Sequence, residues 1–178
     1  AVPFVLPVAD GSAGQFLKTD GSKNLSFSGG GKVLQVVQAT YTTAKTIAGT
    51  SFVDTDLTCN ITTTTSNSHV LVHVYHPIET SRFGDSVGTV GCTIQLLRDS
   101  TVIKPGKVST NYLSVPEEDD YIVNNYTESF SYLDTPGGAA TYTYKTQAAE
   151  VHANQGTTFN GGSATEGMSV IVLMEISQ

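Results

Sequence analysis

Tryptophan is absent from this chain, cysteine and methionine occur 2 times each, and only 14% of residues are charged. Each scarcity excludes something. Lys and Arg total 9 against 16 Asp and Glu, for a net charge of −7. A nucleic-acid binder needs a basic stripe to replace condensed counterions, and none is visible, so no nucleic-acid partner is expected. The same sign disfavours anionic lipid head groups. The longest apolar run, Val170 to Met174, falls far short of the roughly 20 residues that span a bilayer, so no membrane insertion is expected. Residues 1–8 lack a basic start and are broken by Pro3 and Pro7, which does not read as a secretory signal. Cys59 and Cys92 each sit within an alternating apolar pattern. Two isolated cysteines make no disulfide framework, and reduced core thiols of a protein made in a reducing cytoplasm are expected.

What replaces charge is Thr, Ser, Asn, Gln and Gly. Threonine is β-branched, loses rotamer freedom in a helix and fits a pleated strand. No stretch keeps a 3.6-residue apolar period, so strands are expected throughout. Residues 15–19 and 24–28 read as a small hairpin turning at Asp20-Gly21-Ser22-Lys23, because Asp-Gly favours tight turns. Such a hairpin buries too little to stand alone. Gly29-Gly30-Gly31 closes this segment, and the division expected is 1–31, an anchoring arm and hairpin, then 32–178, a head domain.

Beyond the glycines the chain alternates. In residues 32–43, Val33, Val37 and Tyr41 share one face while Leu34 and Val36 fall on the other, suggesting a strand covered on both sides. Further strands are expected at 57–64, 68–76, 90–98, 100–104, 126–133, 141–149 and 168–176, with a tight hairpin at Asp99-Ser100 and loops at 105–125 and 154–167. That spacing predicts an all-β, antiparallel β-sandwich of jelly-roll-like kind with a short N-terminal arm and hairpin, its strand order unspecified.

Candidates for chemistry are few. His69 and His73 share a strand face about 13 Å apart, and His76 points the other way, so one extended strand cannot gather them on zinc. No metal site and no cofactor are expected, although His73 from several copies meeting on a symmetry axis stays open. Glu117 to Asp120 lack the spaced ligands and turning glycine of a calcium loop and read as solvated. No Gly-x-Ser-x-Gly turn exists and neither cysteine has an activating histidine nearby, so no catalytic residues are assigned and an enzyme is not expected. The remaining surface is aromatic. Tyr112, Tyr121 and Tyr126 lie in or beside the long loop and are candidates to face a ligand, since tyrosine joins an apolar ring to a polar tip. Tyr142 and Tyr144 share a strand face and fit core packing equally well.

Residues 11–27, Gly-Ser-Ala-Gly-Gln-Phe-Leu-Lys-Thr-Asp-Gly-Ser-Lys-Asn-Leu-Ser-Phe, resemble a segment recurring in tailed-phage fibre proteins, Gly-x-x-Gly-Gln-x-Leu-x-x-Asp/Asn-Gly-x-Gly-x-Leu-x-Phe. Lys23 stands where that segment has its last glycine. Gln35 to Tyr41, Leu96 to Ile103 and Ile171 to Ile176 are similar to the β head domains that follow such segments. The resemblance implies a virion surface protein of fibre or head-fibre type, assembled as a homotrimer and partnered by capsid or tail proteins of the particle. It implies anchoring by the apolar arm, Val2, Pro3, Phe4, Val5, Leu6 and Pro7, and carries no catalytic residue. A fibre or knob contributing to host attachment, a capsid decoration (cement) protein, and an adhesin partnered by host surface glycan remain open as its roles.

Overall fold

A computed structural model describes residues 3–29, 32–83, 87–114, 121–152, 155–161 and 167–177. The chain divides into two compact units, Ala1–Val33 and Leu34–Gln178. In the first, strands β1 (Gln15–Thr19) and β2 (Leu25–Gly29) pair antiparallel, with Gln15 opposite Gly29 and Thr19 opposite Leu25. The turn forms because Asp20 gathers it: its carboxylate accepts the Ser22 amide at 2.7 Å, the Asn24 amide at 3.2 Å and the Asn24 side chain at 2.6 Å. Gly21 and Lys23 both adopt left-handed backbone, at φ 82° and 73°. The arm joins this hairpin through a parallel bridge between Val5 and Asn24.

The second unit is all β among its described residues. Its strands are β3 (Val33–Tyr41, which begins one residue before the division), β4 (Lys45–Ile47), β5 (Val53–Thr62), β6 (His69–Phe83), β7 (Val87–Arg98), β8 (Thr101–Ser114), β9 (Tyr121–Asp134), β10 (Thr141–Glu150), β11 (Gln155–Phe159) and β12 (Ser169–Ile176). One sheet runs β5-β10-β7-β8. In the other, β9 lies along one edge of β6 while β12 and then β11 share the opposite edge, with β3 beyond β12 and β4 beyond β11. Each sheet is therefore four strands wide. Apart from the β7–β8 hairpin and the two same-sheet continuations (β3 to β4, β11 to β12), successive strands alternate between sheets. That is the strand order of a jelly roll.

Three sequence expectations change. Residues 105–125 are not one long loop, because β8 runs through Ser114 and β9 begins at Tyr121. Pro105 misled the reading. It sits on an edge strand at a bulge, where Ile94 faces Lys107 and Leu96 faces Lys104, so its missing N–H breaks no ladder. The 154–167 loop contains β11, and β4 was too short to show a period. Val36, expected to be covered on its second face, is exposed.

The core lies between the sheets in two clusters. Leu57, Ile61, Val72, Leu96, Tyr144 and Leu173 belong to one, and Ile47, Ile78, Cys92, Ile94 and Phe159 to the other. Both cysteines are free and buried, as expected for core thiols, and burial pushes the Cys92 thiol up to about 11. A second proline explains how the clusters join. Pro77 lies in β6 where that strand exchanges β12 (Tyr75 opposite Val170) for β11 (Ile78 opposite Phe159). Its carbonyl accepts the Asn160 amide at 3.2 Å, so its nitrogen faces the same gap, where no ladder acceptor waits.

Candidate binding surfaces and a buried polar relay

The predicted anchoring arm is exposed. Val2 lies outside the described residues, Pro3 is exposed and Pro7 half-buried. Phe4 is 53% and Leu6 68% exposed, and Val5 and Val8 project likewise, although the Val5 backbone is tied on both sides by Lys23 and Leu25 at 2.9 Å. Leu6, Pro7, Val8, Leu17 and Phe27 line a shallow groove in this unit.

The three candidate tyrosines do not share a surface. Tyr112 is 71% exposed on edge strand β8, opposite Thr89. Tyr126 turns inward from β9 against the second core cluster, its hydroxyl 3.5 Å from Cys92 Sγ, and burial raises its pKa. Tyr121 pairs with Phe83 through the backbone, and its side chain lies outside the described residues, as does the acidic run 117–120. Tyr144 is buried and donates to Asp134 at 2.6 Å, with Arg98 on the same carboxylate at 2.7 and 2.8 Å. The alternation of β6 separates the histidines as anticipated: His73 faces outward against Ser131, and His76 points into the core. No metal-ligand cluster occurs among the described residues.

His76 carries a feature that the sequence hid. Its Nδ1 is 2.7 Å from Ser169 Oγ and its Nε2 is 3.0 Å from Thr146 Oγ1. Ser169 Oγ in turn donates to Asn160 Oδ1 at 2.5 Å, so the Nδ1 proton must lie on His76 and donate to Ser169. Nε2 then accepts from Thr146, which accepts from Thr55 at 2.5 Å, and at the far end Asn160 Nδ2 donates to Thr43 O at 3.2 Å. With the Ser169 proton committed to Asn160, the neutral Nδ1–H tautomer of His76 is fixed. Burial holds the imidazole pKa down to about 3. A serine beside a histidine is the contact of an activated nucleophile. Here His76 and Thr146 are fully buried and Ser169 nearly so, with no approach for a substrate. The relay cross-braces the two sheets between the hydrophobic clusters.

The two outer sheet faces differ in chemistry. On the β5-β10 side, Asp54 accepts Lys145 at 2.9 Å and Gln147 at 2.8 Å, among Thr58, Asn60, Thr62 and Thr143. On the β9-β6-β12 side, one cross-strand row reads Leu133, Leu71 and Met174, and the next Ser131, His73 and Val172. Val36 and Leu34 on β3 also stay exposed.

Further along that apolar face the surface opens into a groove of about 680 Å³. Tyr75 and Pro77 of β6, Asn125 and Thr127 of β9, and Met168 and Val170 at the start of β12 line it, with Glu79 beyond. Gly167 closes one rim, donating to Asn160 O at 3.2 Å. A Cβ on Gly167 would lie 2.6 Å from the Pro77 ring, so the rim is seated on that proline. Sequence reading missed this groove, because three separated segments build it. No family model matches the chain, and no curated protein is significantly similar to it.

Proposed function

We propose that this protein is a non-enzymatic structural protein of a tailed-phage particle, carried on the virion surface as a homotrimer and held there by its N-terminal arm. The observation that carries the reading is the exposed apolar arm: Phe4, Val5, Leu6 and Val8 face outward beside Phe16 and Leu17 of the hairpin. An apolar strip of this kind marks a protein contact, and a surface protein of a capsid or tail has one to offer. The fibre-type segment of residues 11–27 supports the same address. The outer face of the β9-β6-β12 sheet supports self-association, since Leu71, Leu133 and Met174 form a row that a second copy would cover.

Two measurements test this. Particles assembled with chain lacking residues 1–10 should lose the protein, whereas wild-type occupancy by the truncated chain would refute anchoring by the arm. Sedimentation velocity of the purified chain at micromolar concentration should give a trimer that Leu133→Glu dissociates. A monomer that forms no trimer even on particles would remove the threefold reading. Reconstruction of the particle distinguishes a fibre or decoration protein on the capsid from a tail component.

A further inference from the structure

We propose that Asn160–Gly161 is a spontaneous deamidation site, kept silent by the buried relay and released when that relay opens. Of the chain's asparagines only Asn160 precedes a glycine. Without a Cβ on the following residue, its amide nitrogen approaches the asparagine side chain unhindered. The Gly161 nitrogen attacks Asn160 Cγ, the new N–C bond closes a succinimide ring, and the side-chain nitrogen leaves as ammonia. Water then opens the ring at either carbonyl, giving aspartate or isoaspartate. The sum is asparagine plus water to aspartate or isoaspartate plus ammonia, with no oxidant and no enzyme.

Packing demands both halves of this reactive pair. A Cβ on residue 161 would lie 2.5 Å from Ala44 Cβ, so glycine is what fits there. Asn160 has left-handed backbone at φ 58°, a conformation that asparagine tolerates better than most residues. Its amide ends the relay by accepting from Ser169 Oγ at 2.5 Å and donating to Thr43 O at 3.2 Å. An ionised aspartate accepts but cannot donate. The fold therefore keeps its most reactive asparagine where neither residue of the pair can be replaced cheaply.

The same contacts hold the reaction off. Asn160 is only 3% exposed, and both ends of its amide are engaged, so Cγ cannot swing toward the Gly161 nitrogen. The backbone is tied as well, with Asn160 N donating to Pro77 O and Gly167 N donating to Asn160 O, both at 3.2 Å. Opening frees the side chain, and the product cannot go back. In aspartate an oxygen replaces Nδ2 and meets Thr43 O, acceptor against acceptor. Isoaspartate also adds a carbon to the main chain between Asn160 N and Gly161 N. An episode of unfolding is thereby written into the chain as a covalent change that blocks return.

This inference does not rest on the arm or on trimer formation. The purified full-length chain tests it, incubated at mildly alkaline pH either folded or in urea and then mapped by peptide mass spectrometry. In urea Asn160 should exchange NH2 for OH before any other asparagine. That mass gain separates it from isomerisation at Asp10-Gly11 or Asp20-Gly21, which leaves mass unchanged. The folded chain should react more slowly by on the order of a hundredfold or more. Ser169→Ala frees Oδ1 and should speed the folded reaction by about tenfold, with the rate in urea unchanged. Glu175→Ala, which weakens the fold away from Asn160, should speed it less at matched unfolding free energy. After urea is removed, unmodified chain should refold and the isoaspartyl fraction should not. Equal rates folded and in urea overturn the proposal, a comparison that needs no variant. So does a folded rate in Ser169→Ala no higher than in Glu175→Ala of matched stability, or refolding of the isoaspartyl chain to the wild-type melting temperature.

Discussion

Gln35 on β3 donates to Glu175 on β12 at 2.6 Å, closing a set of hydrogen bonds around a carboxylate buried from solvent. Thr64 supplies its amide at 2.6 Å and its hydroxyl at 2.9 Å, and Ser68 its hydroxyl at 2.6 Å. Burial alone would raise the Glu175 pKa, but the donors from Gln35, Ser68 and Thr64 outweigh it and hold the group at about 2.

Glu175→Ala should therefore destabilise the protein by about 3 kcal/mol, because it strands several buried donors at once. Glu175→Gln should cost less, since one oxygen still accepts from Thr64 and Ser68 while its new amide opposes the Gln35 amide. Urea denaturation of both variants checks the order.

His76 and Glu175 make the protein acid-labile in two successive windows. For His76 the folded pKa is about 3 and the unfolded value about 6.5, so the unfolded chain binds more protons in between. Its contribution is complete above pH 6.5 and is lost as pH falls toward 3, by up to about 1.4 kcal/mol per pH unit. Glu175 adds loss from about pH 4.3 down to about 2. Glu150 acts in the opposite sense, because burial raises its pKa, so its contribution is present at low pH and lost as pH rises. His76→Gln should be less stable than wild type at pH 8 and should lose the fall in stability toward acid between pH 6.5 and 4.5, leaving there the opposite trend of Glu150. A wild-type slope retained in that window would show that another group titrates there.

Gly91 tolerates no side chain. A Cβ there would fall 1.9 Å from Ser109 O, and the glycine is held by Val151 N at 3.1 Å and by the Gln155 side chain. Gly91→Ala should cost more than about 3 kcal/mol or prevent folding. Gly137→Ala is the control: φ is 83° but nothing lies within 4 Å, so only the backbone cost of about 1 kcal/mol applies. Thermal denaturation of the pair separates close approach from conformational preference.

Lys23 holds a left-handed conformation that glycine adopts without steric cost. Lys23→Gly should stabilise the β1–β2 hairpin by about 0.5–1 kcal/mol, offset in part by added freedom of the unfolded chain. Amide exchange in β1 and β2 should slow by a factor of roughly two to five.

The sandwich was legible because residues 53–62 alternate, with Leu57, Cys59 and Ile61 inward and Thr58 and Asn60 outward, while 169–176 read as a strand from an unbroken apolar run whose alternation appears only in its burial. The Asp20-Gly21 turn was legible for a local reason, its side chain capping amides a few residues away. Strand content around Pro105 was not, since the bulge that accommodates it depends on the partner strand. The His76 relay was hidden by distance, as Ser169 lies 93 residues along the chain. The groove was hidden for the same reason, since its lining comes from separated stretches of the chain. His76 itself was read as an ordinary strand histidine, and burial is what gives it a pH dependence.

The exchange of partners along β6 at Pro77 has a consequence for how this surface changes over time. β11 and β12 are each clamped independently to one continuous strand, so the connection between them begins and ends at two fixed posts. Doubling the length of such a link costs only about 0.6 kcal/mol in closure entropy. Insertions and substitutions there leave the register of both posts intact. Descendants of this fold can therefore remodel one rim of the groove rapidly while the scaffold under it stays fixed, and the same link is the natural place to graft a foreign peptide for display.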